Sequence, residues 1–463
     1  MSLFYDAEEE KLLQTNLKKI CTLHRKIELD TIEPTKEERK FIRNIIDKFI
    51  KKRNRIVYGG FAYDLYIKKQ SKGEDYIYDD DLDYPDIEFY TTEFHQDIRD
   101  LCDELASKVD KPIMAEEGVH SSTFKVKVNF EVYCDITFYP QKFYDSIPTQ
   151  SINGFLLADP SFLLVDVYKI YNYPFSNFFR LVKTFTRANK LLKYYPFEPK
   201  VKGHISTNSI NNNYLPKVFD ILKNITSLIF IDIEAYNFYM RSANLDSLIL
   251  PCPYYVVIST NYTEDVNRIY SELLSLGKIE LSEYYPFIDC FNKHVEFYIN
   301  DEDKKRFLVH IYDESESCIP YNVNNDIKVS TIQSTMFYLM ISRQKLIMDS
   351  INSKKRLQDK INVKDAIIKN LIRAKKEYFK THNKAEMFEE GPFQEFVVQC
   401  EGQNISALRV SSLRRENRKA SNTPFAYRYI PGEQSNLDRL ILDDFIGSEI
   451  KKESNLTINN LKD

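Results

Sequence analysis

Apolar positions recur at helical spacing across residues 36–52, where Phe41, Ile42, Ile45, Ile46, Phe49 and Ile50 share one stripe and predict an amphipathic helix. The run RIVY at 55–58 reads as a short strand, and beyond Gly59 and Gly60 a second helical stretch covers 61–69. Residues 71–85 are acidic and rich in turn formers. The pattern then gives a strand at 86–90, a helix around 93–108, and two strands at 122–128 and 131–139. Helical periodicity returns at 161–172 and 177–195, and the polar stretch 199–215 reads as a linker.

This pattern occurs twice. Residues 56–68 align without gaps on 229–241, with Ile56/Ile229, Ala62/Ala235, Tyr63/Tyr236 and Tyr66/Tyr239 identical. Residues 85–107 align on 253–275, with Pro85/Pro253, Asp97/Asp265 and Leu105/Leu273 among the identities. The strand around Asp135 matches the strand around His310, and an apolar helix follows each, near Phe162 and near Phe337. Three matches in one order predict two copies of one α/β (α+β) unit. The expected boundaries are a helical segment at 1–50, a first unit at 51–198, a second at 216–390 and a C-terminal extension at 391–463.

Composition narrows the field. With 43% hydrophobic and 29% charged residues the chain can bury a core, and its 463 residues suit two or three domains. Lys and Arg total 64 against 68 Asp and Glu, which excludes a polycationic nucleic-acid coat but not a local basic groove. No apolar run approaches the roughly 18 residues a membrane span needs. The polar, acidic start does not fit a secretory signal. The seven cysteines are odd in number and form no CxxC, which argues against a disulfide framework or a thiolate zinc site and for a reducing compartment.

The chemistry lies in how the copies differ. Gly59 and Gly60 face Asp232 and Ile233, Asp86 faces Tyr254, Glu88 faces Val256, and Asp135 faces His310. On a strand, Asp86 and Glu88 project from one face while Ile87 turns to the core. Adjacent carboxylates repel unless a cation lies between them, and Mg²⁺ takes hard oxygen ligands. Asp135, within an apolar strand, is costly unless it faces a site. A glycine pair between strand and helix lets backbone approach phosphate, although a tight turn is its commoner use. A second acidic pair, Asp81 and Asp83, reads as part of a solvated loop. Arg180, Lys183, Arg187 and Lys190 recur at helical spacing, either as contacts for triphosphate or primer backbone or as a solvated face. Phe178, Phe179 and Phe185 lie beside them and can stack bases, while each alone is more often core.

The strings VYGGFAYDLY, PDIEFYTTEF and VYCDITFYP resemble the poly(A) polymerase catalytic proteins of large cytoplasmic DNA viruses (poxviruses, African swine fever virus and the giant amoebal viruses), a template-independent branch of the polymerase-β-like nucleotidyltransferases. The likeness is closest to the giant-virus members. It implies tandem nucleotidyltransferase-like domains, the first active and the second degenerate. It implies a polynucleotide adenylyltransferase that extends an RNA 3′ end from ATP with two Mg²⁺ or Mn²⁺ ions. Asp86, Glu88 and Asp135 then match the metal-binding triad, and Gly59 and Gly60 the phosphate-contacting glycines. Glu88 departs from the Asp that many relatives carry. The implied setting is the host cytoplasm or a viral factory, with packaging in the virion as a variant, and with self-association through the second unit or a separate processivity partner. The alternatives are another nucleotidyltransferase (CCA- or uridine-adding, or acting on a small molecule) and a catalytically inactive RNA-binding scaffold.

Overall fold

The computed structural model describes residues 5–119, 122–196, 213–286, 293–301, 304–353 and 357–403, with scattered positions between 405 and 437. Most of the expected linker and of the C-terminal extension lies outside the described residues. The front half runs α1 (Ala7–Thr31), α2 (Lys36–Arg53), β1 (Ile56–Tyr58), α3 (Gly59–Ser71), β2 (Ile87–Thr91), α4 (Phe94–Ala106), β3 (Ile113–Glu117), β4 (Thr123–Val128), β5 (Glu131–Phe138), α5 (Gln141–Tyr144), β6 (Thr149–Ile152), β7 (Phe155–Ala158), α6 (Pro160–Asn172) and α7 (Pro174–Tyr194). The rear half runs α8 (Leu215–Leu222), β8 (Leu228–Phe230), α9 (Ile233–Ser242), β9 (Tyr255–Ser259), α10 (Tyr262–Leu273), β10 (Ile279–Tyr284), β11 (His294–Asp301), β12 (Lys304–Asp313), β13 (Cys318–Asn324), β14 (Ile327–Ser330), α11 (Ile332–Ser353) and α12 (Gln358–Thr381). Two short strands follow, β15 (Cys400–Gly402) and β16 (Arg428–Tyr429).

Helix α2 starts at a capping box, Thr35 with Glu38, and stops at Asn54 in the left-handed conformation. Its Ile42, Ile45, Ile46, Phe49 and Ile50 are buried in the front core. Phe41, expected on the same stripe, sits at its edge and faces solvent. The helix therefore crosses residue 50 and belongs to the front sheet's packing.

The two sheets share a strand order. The front sheet reads β16-β3-β4-β5-β2-β1-β7-β6 and the rear β10-β11-β12-β9-β8-β14-β13-β15. In each, the central strand pairs in parallel with its neighbour, β2 with β5 and β9 with β12. Each also carries a late hairpin that the hydrophobic pattern did not announce. One turns at Asn153-Gly154 and the other at Asn325-Asp326, all four residues at positive φ.

The halves meet through α6 and α11, and front residues such as Phe162 and Leu163 share one continuous core with rear Phe337 and Leu339. The C-terminal region returns to both sheets, with β15 beside β13 and β16 beside β3. Cys318 and Cys400 form a disulfide there, a single bridge in a chain whose cysteine spacing argued against a disulfide framework. Their separation of 82 residues is closed only by the pairing of β13 with β15, so no local spacing announced it. No helix among the described residues is long and apolar enough to cross a membrane.

Candidate active site

Four neighbouring strands place one residue each on a single row of the front sheet. Tyr58 of β1 pairs with Glu88 of β2, Glu88 with Asp135 of β5, and Asp135 with Lys125 of β4. Laterally paired residues project from one face, so these side chains form a continuous polar strip. Asp86 lies just before β2, half-buried, and the preceding Pro85 carbonyl accepts a hydrogen bond from Arg43 Nη1 at 2.6 Å, which ties the strand entry to α2.

The electrostatics are those of a crowded acidic cluster. Burial, and then the charge of Asp86, push the Glu88 carboxyl up to about 7. Its Oε2 accepts the Gly60 N–H at 2.9 Å. Burial also raises Asp135, opposed by Lys125, whose Nζ lies 2.7 Å from Oδ2. Asp135 Oδ1 is buried with no hydrogen-bond partner.

Both glycines are explained by close approach. Gly59 has φ +67°, and a Cβ there would fall inside the Glu88 carboxylate. A Cβ on Gly60 would collide with the Tyr78 hydroxyl and press on the Arg187 guanidinium.

Three of the five cations on α7 address this cluster. Arg180 acts on Asp135, and Lys183 feels both Asp86 and Glu88. Arg187 hydrogen-bonds the Tyr78 hydroxyl, with its guanidinium 5.4 Å from that ring's centroid. Burial, and then Arg187, lower the Lys183 pKa. Lys190 does not join them; it binds Asp75 at 2.7 Å and the Tyr76 carbonyl. Asp81 pairs with Lys36 at 2.7 Å and Asp83 accepts the Asp79 N–H, both on the exposed loop.

The donors fit a divalent cation in kind: hard carboxylate oxygens beside or on paired strands, one of them orphaned, one carboxyl pushed up by burial and then by Asp86. They do not close on one point. Among the described residues no three His, Cys, Asp or Glu side chains converge in coordinating geometry. The expected triad is a cluster whose members turn to separate partners, because like charges repel and Gly60 and Lys125 offer nearer donors.

Known proteins place this arrangement. The family model described as "Poly(A) polymerase catalytic subunit" matches residues 44–177. The one described as "APMV, Putative poly(A) polymerase, catalytic subunit, C-terminal" matches residues 189–460, more than half of the chain. The chain belongs to the viral poly(A) polymerase catalytic-subunit family. The "Putative poly(A) polymerase catalytic subunit" of Acanthamoeba polyphaga mimivirus is 29% identical over 92% of this chain and 78% of its own. A protein of the same description from African swine fever virus is 27% identical over 38% of this chain and 36% of that one. The crystal structure of the Megavirus polyadenylate synthase matches with a TM-score of 0.88 and 28% identity, over 98% of this chain and 94% of that one.

Within this family frame, sequence reasoning missed Lys125, Tyr78 and Asp166. Burial raises the pKa values of Glu88, Tyr63 and Tyr90, and Asp166 of α6 adds to each. Tyr78 reaches the site because Asp64 Oδ1 accepts the N–H groups of Ile77 and Tyr78, at 2.7 and 3.0 Å, which folds the acidic loop back over α3. In the rear half the matching stations hold Asp232, bonded to Lys364 at 2.6 Å, and Val256 beside His310, which faces Glu296.

Proposed function

We infer that the front sheet adds adenylate from ATP to the 3′ end of RNA, with divalent cations held by Asp86, Glu88 and Asp135. The observation that carries this reading is the row Glu88–Asp135, with Asp86 beside it, faced by Arg180, Lys183 and Arg187 across the Gly59-Gly60 turn. Two bound Mg²⁺ or Mn²⁺ ions would neutralise phosphate charge and make the attacking hydroxyl a better nucleophile. Lys183 and Arg187 would attract the triphosphate to the start of α3. Asp135, whose Oδ1 has no protein donor, would accept the proton of the attacking 3′-hydroxyl.

The test is extension of a short RNA primer with each NTP in turn, with and without divalent metal. Extension by ATP alone, and only with metal, is expected. Equal extension by CTP or UTP would favour another nucleotidyltransferase. Bound but unextended RNA with every NTP would favour the scaffold reading.

A further inference from the structure

Helix α7 carries a second face that the acidic cluster does not use. Phe178, Val182 and Phe185 fall on one stripe at 71%, 80% and 52% exposure, and Phe179 stands next to them at 68%. They are not core. Three phenylalanines in solvent on two turns of one helix form an apolar patch that calls for an occupant. Around the helix, Phe179 borders the flank of Arg180, Lys183 and Arg187, and the Arg180 guanidinium lies 5.8 Å from its ring centroid. One helix thus sets flat rings in solvent beside cations that act on Asp86, Glu88 and Asp135.

We propose that this outer face of α7 is a stacking platform for the 3′-terminal bases of single-stranded RNA. The proposal rests on the RNA-tailing reading and adds the residues that hold the primer. Rings bind bases through their π-faces while the flanking cations meet the phosphates, the combination that grips single strands without reading sequence. The charge argues for this occupant, because the patch adjoins three cations, and its position argues for the 3′ end, because the same helix faces the acidic cluster.

Fluorescence anisotropy of a labelled oligoadenylate on the full chain, without ATP, tests it. Phe178→Ala, Phe179→Ala and Phe185→Ala should each raise the dissociation constant by roughly tenfold, with circular dichroism unchanged. Phe179→Trp should bind within about twofold of wild type, whereas Phe179→Leu, which keeps apolar area but loses the flat ring, should fall with alanine. An oligoadenylate of the same length made abasic at its last few 3′ positions should bind the wild-type chain as weakly as the alanine variants bind the intact one. Wild-type affinity in the alanine variants, or full rescue by leucine, would overturn the platform. So would a change of mass in light scattering with RNA affinity kept, since that marks the patch as a protein contact. The binding readout needs no turnover, so a chain that binds RNA through these rings yet extends nothing would sink the tailing reading and leave the platform standing.

Discussion

The front and rear sheets are the same scaffold holding opposite chemistry. Each carries a β-bulge at the same station, where Tyr133 in β5 and Leu308 in β12 are the unpaired residues. Each ties strand end to helix start with one buried aspartate. Thr91 Oγ1 donates to Asp97 at 2.6 Å in front, and Ser259 Oγ donates to Asp265 at 2.5 Å behind. The side chains on the central row have changed as a set. Front Lys125 opposite Asp135 becomes rear Glu296 opposite His310, an inverted charge order, and burial pushes His310 down to about 4. Gly59 at φ +67° becomes Asp232 at φ +57°, a conformation that L residues seldom adopt. Front backbone and carboxylate fill the same space, so only glycine fits beside Glu88. With Val256 in the place of Glu88, the rear turn has room for the Asp232 side chain, which reaches Lys364. The left-handed turn has outlasted the glycine. Backbone devices shared by both halves hold the sheet, and the chemistry resides in a few side chains laid on it.

The sharpest way to break this comparison is to exchange function between the halves. Asp135→Asn should lower adenylate incorporation by at least about 10³-fold, since several kcal/mol of charge stabilisation depend on that carboxylate. His310→Asn, its rear counterpart, should change the rate by no more than about threefold. Comparable losses from both would mean that the rear half takes part in the reaction.

A second experiment imports the rear turn into the front. Gly59→Asp should abolish tailing and lower Tm by at least about 4 °C, because backbone strain of ~1–3 kcal/mol adds to a collision with Glu88. Gly59→Asp combined with Glu88→Val should regain more than half of that Tm while remaining inactive. If the second change fails to rescue, the rear aspartate is accommodated by something other than the missing glutamate.

The duplication was legible because identities such as Ile56/Ile229, Tyr66/Tyr239 and Asp97/Asp265 occupy buried stations that both sheets need. The acidic pair was legible because Asp86-Ile87-Glu88 opens an apolar strand close behind a glycine pair, although Asp86 itself lies just before that strand. Lys125 was hidden by the bulge. Counting back from the turn at Asn129-Phe130 without an extra residue puts Phe124 opposite Asp135, and only the unpaired Tyr133 brings Lys125 there. The exposure of Phe178, Phe179 and Phe185 was equally hidden, because a sequence shows the stripe but not what covers it. Cys318 and Cys400 needed the return of β15 to come together.

The third prediction concerns the seam between the halves. Glu314 of the rear half stands at the station of front Tyr139; their N–H groups bond the carbonyls of Ser259 and Thr91. Its carboxylate accepts from Tyr173 at 2.8 Å and from Tyr338 at 2.7 Å, joining α7 to α11. Burial pushes it up to about 7 from an ordinary 4.5. The folded chain then binds this proton more tightly than the unfolded chain. The associated stability is present below pH 4.5 and is lost as pH rises towards 7, about 3 kcal/mol in all. Glu314→Gln should remove that dependence, so its Tm should exceed wild type by several degrees at pH 8 and by little at pH 5. A difference that stays constant with pH would show that Glu314 does not titrate in this window.

The smallest expected effect separates holding from reacting. Lys125 binds one oxygen of Asp135 and leaves the other without a donor, so the role expected of it is to fix the carboxylate rotamer. The pair is partly open to solvent, with Lys125 34% and Asp135 12% exposed, and such a pair contributes about 1 kcal/mol. Lys125→Met should therefore slow tailing by roughly fivefold and raise the metal concentration for half-maximal rate, with the ATP KM nearly unchanged. Lys125→Glu copies the rear half and sets two carboxylates directly opposite across a strand pair, so it should be worse than methionine. If methionine instead costs as much as Asp135→Asn, Lys125 touches the reacting groups, and the inverted pair Glu296–His310 then marks the loss of a catalytic residue rather than of a support.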